Sequence, residues 1–224
     1  MRTKTKIILL CLCSLLLVVA TVTGTLAYLV AKDSTVNTFT VGKVEMKLDE
    51  APVDENGKKT SGDRVITNEY KMIPGRIVDK DPTVTVLDGS ESSYIRMILT
   101  IYNEPTMSQI VNSDKHGLGG DYAGLLGGWD TQKWLYNGFV TDTTAKTISF
   151  EFRYYMTVGG ATGDVILEPL FEQLIIPATL TGEEIKSLGD GGFKIEVTAH
   201  AIQSEGFADA DEAWGAFDVQ MQNS

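Results

Sequence analysis

The stretch Phe193-Lys-Ile-Glu-Val-Thr-Ala-His-Ala201 alternates without a break. Phe193, Ile195, Val197, Ala199 and Ala201 fall in one phase, and Lys194, Glu196, Thr198 and His200 in the other. Successive side chains of an extended chain point to opposite faces, so this stretch has one face for a core and one for water. That pattern belongs to antiparallel sheet with one solvated side. Working outward, Ile95, Met97, Leu99 and Ile101 alternate with Arg96, Ile98 and Thr100. Phe150, Phe152, Tyr154, Met156 and Val158 alternate with Glu151, Arg153, Tyr155 and Thr157. Val84 and Val86 mark a shorter strand after Asp81-Pro82.

Phe39 to Leu48 changes phase. Phe39 and Val41 are odd; Val44, Met46 and Leu48 are even, and the switch falls at Gly42-Lys43. One extra residue moves every following side chain to the other face, so the strand bends there or changes sheets. Helical signals are few. Thr181-Gly-Glu-Glu184 is a capping-box pattern that opens a short helix ending at Gly189. Asp209-Ala-Asp-Glu212 opens a second, with Ala213, Trp214, Ala216 and Phe217 as its buried stripe. Asp49 to Asn68 is polar and reads as a solvated loop, and Asn103 to Trp129, with six glycines between 117 and 128, reads as a long excursion. The expected fold is mainly β: an antiparallel, jelly-roll-like β-sandwich with long loops and a few short helices.

The chain has 224 residues, 43% hydrophobic and 22% charged, enough apolar content for a packed core. Its formal net charge is -11, the wrong sign for a polyanion binder, so no nucleic-acid partner is expected. Both cysteines, Cys11 and Cys13, lie in the first segment and cannot staple the rest. That segment reads as an address: Arg2, Lys4 and Lys6, then the apolar run Ile7 to Val22, then small residues. Thr25-Leu26-Ala27 offers a small residue at each position that a signal peptidase reads. Cleavage between Ala27 and Tyr28 removes both cysteines and three basic residues, leaving an acidic, exported, cysteine-free chain. The alternative is an uncleaved anchor, because Tyr28-Leu-Val-Ala31 prolongs the apolar stretch. The resulting organisation is a signal peptide over 1–27, an extended N-terminal segment over 28–42 and one sandwich domain over 43–224.

No arrangement typical of catalysis stands out. A catalytic zinc ordinarily takes three protein ligands. The chain has two histidines, His116 in the Gly-rich loop and His200 on the polar face of its strand, and no H-E-x-x-H. There is no G-x-S-x-G elbow and no phosphate-binding glycine loop. No cofactor is expected. Structural calcium at Asp79-Lys-Asp81 or Asp209-Ala-Asp211-Glu212 is a weak option, since helix capping explains the second group as well. Trp129, Trp134 and Tyr136 suit a sugar-stacking platform, but core packing is the favoured reading.

Several blocks resemble one known family. They are Gly24-Thr-Leu-Ala-Tyr-Leu29 with Asn37-Thr-Phe-Thr-Val-Gly42; Tyr70-Lys-Met-Ile-Pro-Gly75 with Asp79-Lys-Asp-Pro82; and Pro169-Leu-Phe171 with Ile176-Pro-Ala178. Phe193-Lys-Ile195 through Thr198-Ala-His-Ala201, then Gly206-Phe207-Ala208 and Ala213-Trp214, complete the series. In this order they resemble the TasA/camelysin family, exported through the dedicated signal peptidase SipW in Gram-positive bacteria. The resemblance implies a secreted, non-enzymatic subunit at the cell surface that builds extracellular biofilm-matrix fibres. It implies as partners the signal peptidase during export, further copies of the chain, and other matrix or anchor proteins. Camelysin-type members are also classed as metallopeptidases, which makes a secreted metalloendopeptidase the alternative, beside a surface adhesin or binding module.

Strand addition supplies a physical route to a fibre. A segment freed by cleavage can pair with a neighbour's sheet edge, and a head-to-tail contact that does not close gives a filament. About ten residues from Tyr28 reach ~33 Å when extended, enough to cross a sheet. The candidate assembly strand comprises Tyr28, Val30, Thr35, Val36, Thr38 and Phe39.

Overall fold

The computed structural model of the chain describes residues 30–33, 43–159, 162–189 and 194–222. Ala27 and Tyr28 at the expected cleavage site, and Thr35, Val36, Thr38 and Phe39 of the candidate assembly strand, lie outside the described residues. So do the expected signal peptide over 1–27 and the phase switch at Gly42.

The described chain is mainly β, with antiparallel sheets and three α-helices: α1 (Glu104–Val111), α2 (Gly182–Ser187) and α3 (Ala210–Gln222). The largest sheet joins β1 (Val30–Asp33), β5 (Ser93–Tyr102), β7 (Trp134–Asp142), β8 (Thr147–Tyr154) and β11 (Ile195–Gln203) in the order β1-β11-β5-β8-β7. A second sheet orders β2 (Met46–Asp49), β4 (Thr83–Val86) and β9 (Val165–Ile166) as β2-β4-β9. A third orders β3 (Ile77–Asp79), β10 (Gln173–Ile175) and β6 (Leu126–Gly127) as β3-β10-β6. Thus β1 and β2, on either side of the phase switch, lie in different sheets.

The alternation seen in the sequence sets the layers. Register brings Ile101, Leu99, Met97 and Ile95 of β5 opposite Ile195, Val197, Ala199 and Ala201 of β11, and the first three also opposite Ile148, Phe150 and Phe152 of β8. These side chains form the inner face of the large sheet. At one end they pack with Val84 and Val86 of β4, Trp134, Leu170 and Phe171; at the other, with Val78, Leu174 and the α1 residues Met107, Ile110 and Val111. The large sheet therefore faces the two small ones across an apolar core, a layering consistent with a β-sandwich. The outer face of the large sheet is covered in part by α3, whose Ala213, Trp214 and Phe217 bury against Ile202.

Three local expectations change. Residues 103–129 are not a bare loop: they hold α1, the one-turn 3₁₀ helices Asp114–His116 and Tyr122–Leu125, and β6. Pro105 in the first turn and the apolar spacing of Met107, Ile110 and Val111 explain α1, signals that the neighbouring glycines obscured. Residues 49–68 are largely exposed but tied down. Glu50 and Val65 exchange backbone hydrogen bonds of 2.8 Å, and Arg64 is bound to Asp49 and Asp81. Finally, β8 stops at Tyr154, four residues short of the Val158 that closed its sequence pattern; Val158 instead makes an isolated bridge to Ser93. Gly159 follows with φ +118, and a Cβ there would lie 2.3 Å from the Glu91 carbonyl oxygen, so this crossing accepts only glycine.

Candidate assembly edges

Each edge of the large sheet exposes one row of backbone N–H and C=O groups unless another strand covers it. At the first edge, β1 pairs antiparallel with β11, matching Val30 to Ile202, Ala31 to Ala201, Lys32 to His200 and Asp33 to Ala199. Val30 of the candidate assembly strand therefore lies in a strand that pairs within its own chain. β1 covers four of the nine β11 residues. The covered residues, Ala199 to Ile202, are all buried, whereas Ile195 to Thr198 are half-buried and no described strand lies against them on the side away from β5.

The covered half of β11 is backed from outside by α3. The link is Arg96, a buried cation on the outer face of β5 that sequence reasoning did not single out. Its guanidinium lies 4.4 Å from the Trp214 ring centroid and 4.7 Å from that of Phe217. It donates to Asp218 of α3 at 2.6 Å, to Glu151 of β8 at 3.2 Å, and through Nε to His200 Nδ1 of β11 at 3.2 Å. One side chain thus joins the helix to three strands. An arginine on the same face as His200, followed far downstream by an aromatic helical stripe, was the available signal. Only the packing of α3 reveals that it is buried.

That packing corrects the expectation of a solvated His200. The residue does sit on the polar-phase face, but it is buried, 4.8 Å from the Phe217 ring, because α3 covers this part of the face. His116 is buried too. Its ring bonds Thr179 Oγ1 at 2.9 Å and Glu184 Oε1 at 3.1 Å, next to α2. Glu184 closes the expected capping box with Thr181. The Thr181 hydroxyl and backbone amide, then Lys115 and His116, hold its carboxyl down at about 2, against an ordinary 4.5. The two histidines therefore serve different elements and are not brought together.

The acidic groups considered for calcium have partners of their own. Asp79 pairs with Lys58 at 3.1 Å, and Asp81 with Lys59 at 3.1 Å and Arg64 at 3.2 Å. Burial pushes the Asp81 carboxyl up, but the Ala51 amide, Lys59 and Arg64 outweigh it and leave it below its ordinary value. Asp209 accepts from the Glu212 amide, and Glu212 accepts from the Ala208 amide, so the second group caps α3. Among the described residues, no group of three or more His, Cys, Asp or Glu side chains is gathered as a metal site requires.

At the opposite edge lies β7. Trp134, at its start, is core: it is fully buried and donates to the Glu168 carbonyl at 2.9 Å. Trp129 packs edge-on against Phe152 and donates to the Trp134 carbonyl. The aromatic trio is thus no open platform, although Tyr136 stays half exposed. No described strand lies beyond β7, and the rest of it is unusual for such an edge. Leu135, Tyr136, Phe139 and Val140 are 46, 49, 60 and 71% exposed. Natural edges are commonly protected by charge or proline, and Trp134 to Thr141 contains neither.

No described helix is long and apolar enough to cross a membrane. No family model, curated protein or solved structure matches the chain.

Proposed function

We propose that the chain is a secreted structural subunit whose jelly-roll-like sandwich polymerises into extracellular biofilm-matrix fibres by exchanging its N-terminal strand between neighbours. One observation carries the reading: a short N-terminal strand pairs with a sheet edge that it covers only in part. A strand held by four residue pairs leaves its own edge more readily than a central strand does, and a neighbour's copy can make the same ladder. Continuing the observed register past Asp33 sets Ser34 opposite Thr198, Thr35 opposite Val197, Val36 opposite Glu196 and Asn37 opposite Ile195. A donated strand that ran this far would also lie against Ile195 to Thr198, the half of β11 that β1 does not reach. Leader cleavage at Ala27–Tyr28 would free the segment, making export the trigger for assembly. Backbone pairing supplies affinity, and pockets for alternate side chains supply register.

Paired Cα atoms in an antiparallel ladder lie about 4.5–5.5 Å apart, within disulfide range. The test is therefore Ala31→Cys with Ala201→Cys in a chain carrying Cys11→Ser and Cys13→Ser. Exchange predicts a ladder of covalent oligomers from oxidised fibres and an intrachain bond in monomers. Fibres that yield only the intrachain bond would show that the strand stays at home. Electron microscopy of the processed protein, with N-terminal sequencing from culture supernatant, tests fibre formation and export. Filaments should be visible and the sequence should begin near Tyr28.

A further inference from the structure

The β7 edge, which no described strand covers, has an internal symmetry that its exposure alone does not show. Its ladder with β8 carries an irregularity: Tyr136 pairs with Phe152 and Gly138 with Glu151, leaving Asn137 as an extra residue. A bulge of this kind sets two residues of one strand against one of its partner. Gly138 has φ +120, a conformation that side chains rarely adopt, which suits it to this position. With Asn137 set aside, Trp134, Tyr136, Phe139 and Thr141 share the inner phase of the sheet. Leu135, Gly138 and Val140 share the outer one.

Suppose a second copy lays its own β7 antiparallel against this edge, with Gly138 opposite Gly138. Tyr136 then faces Phe139 of the other copy, and Leu135 faces Val140, each pair on one common face of the sheet. Trp134 falls opposite Thr141, and Lys133 opposite Asp142. Without the extra residue the same centre would set Tyr136 against Val140 and Leu135 against Thr141, so the bulge decides which side chains meet. With the bulge, the aromatic Tyr136 meets the aromatic Phe139 and the aliphatic Leu135 meets the aliphatic Val140. Both apolar pairs join side chains that are exposed in the single chain, and such cross-strand pairs are the units that stabilise a sheet. The seam between Trp134 and Thr141 contains no charge, so joining it buries none. At each end a lysine meets an aspartate. Lys133 already reaches Glu168 and Tyr155, and Asp142 accepts from the Thr144 and Ala145 amides, so this pair adds matched sign rather than a new buried ion pair.

We propose that β7 is the seam of a twofold contact between two copies of this chain, continuing the large sheet across both. The contact is isologous and closes on itself, so it makes a dimer and not a filament. It lies at the edge opposite β11 and does not depend on strand exchange there; exchange along one edge and pairing along the other would tie filaments side by side.

The test is site-directed cross-linking in the full chain with Cys11→Ser and Cys13→Ser. Leu135→Cys with Val140→Cys places thiols opposite each other across the seam. Oxidation with oxidised glutathione should give a covalent species of twice the chain mass and nothing larger. Leu135→Cys with Phe139→Cys, whose side chains take opposite faces, should stay at single mass under the same conditions. Equal cross-linking of the two pairs, or none of the matched pair, overturns the proposal. Adding Val36→Pro, which targets exchange at the other edge, separates the two contacts. The matched pair should still double in mass even if fibres are lost, and loss of the doubling would show that the β7 contact is not separate from exchange. Val140→Lys, which sets a cation against Leu135 twice per dimer, should halve the sedimenting mass of any non-covalent dimer with unchanged circular dichroism. A dimer that survives this change also overturns the assignment.

Discussion

The edge at β11 is half occupied and backed, while no described strand lies beyond β7, and the two are built from differently patterned strands. β11 alternates strictly: its apolar phase faces the core, and its polar phase carries His200 into a cluster of Arg96, Trp214 and Phe217. β7 is apolar on both faces, with Leu135 and Val140 outward and Tyr136 and Phe139 inward, all substantially exposed. A half-solvated edge strand needs only one apolar face. Apolar residues on both faces of an edge imply that something covers both, whereas the regular alternation of β11 suits a strand completed by a short partner and a helix. The comparison separates an edge that the chain covers in part for itself from one that no described strand covers.

The largest effect should come from removing the strand that fills the first edge. Deleting Tyr28 to Thr35 should reduce sedimentable fibre to background, with far-ultraviolet circular dichroism unchanged. Thr35→Pro and Val36→Pro refine this. Proline cannot donate to a ladder, and consecutive residues of an edge strand point their amides to opposite sides, so one of the two variants should be much the worse. Normal fibre yield from the deletion would place the contact elsewhere.

Next comes the backing of that edge. Trp214→Ala removes a fully buried indole from beneath α3 and should lower unfolding free energy by about 3–5 kcal/mol. Val219→Ala on the same helix, at an exposed position, should change it by no more than about 0.5 kcal/mol. Denaturant titration of both distinguishes packing of the helix from its mere presence. Arg96→Met keeps the aliphatic stem but removes the bonds to Asp218, Glu151 and His200, and should destabilise by about 1–3 kcal/mol. Asp218→Ala should have a smaller effect, about 1 kcal/mol or less, because its carboxylate is half exposed.

The smallest effect should lie at a group outside both edge strands. The folded pKa of Glu184, about 2, is below its ordinary 4.5. Its contribution to stability is therefore complete above pH 4.5 and is lost as pH falls through about 2. Carbon-detected NMR of the carboxyl should show an acid-shifted midpoint. Glu184→Gln should flatten stability against pH in that window and leave fibre yield unchanged. A change in fibre yield would mean that α2 takes part in one of the contacts.

Much of this architecture was legible in the chain. The alternating runs at 95–101, 150–154 and 195–201 are strands of one sheet, in the expected phase. The capping signals at Thr181 and Asp209 do open helices. What was not legible is instructive. His200 looked solvated because its phase is polar, and only α3, whose Trp214 and Phe217 arrive from the end of the chain, buries it. α1 was hidden because a helix of eight residues carries a weak periodic signal among so many glycines. The length of β8 was overestimated because Met156 and Val158 continue an alternation in the sequence, while the backbone bends at Tyr155 and Met156.

The sequence by itself determined which residues can lie in strands and which of their faces is apolar, because that depends only on a period of two and on side-chain hydrophobicity. It determined the caps of α2 and α3 as well, since these are bonds between residues a few positions apart. Only the tertiary structure decided which strand stands at an edge, what covers it, and that an arginine and a histidine in the polar phase are buried there. Those outcomes depend on pairings between segments a hundred residues apart, such as Arg96 with His200 and Asp218. Nothing in a local pattern encodes the partner; the packing of the whole sheet selects it.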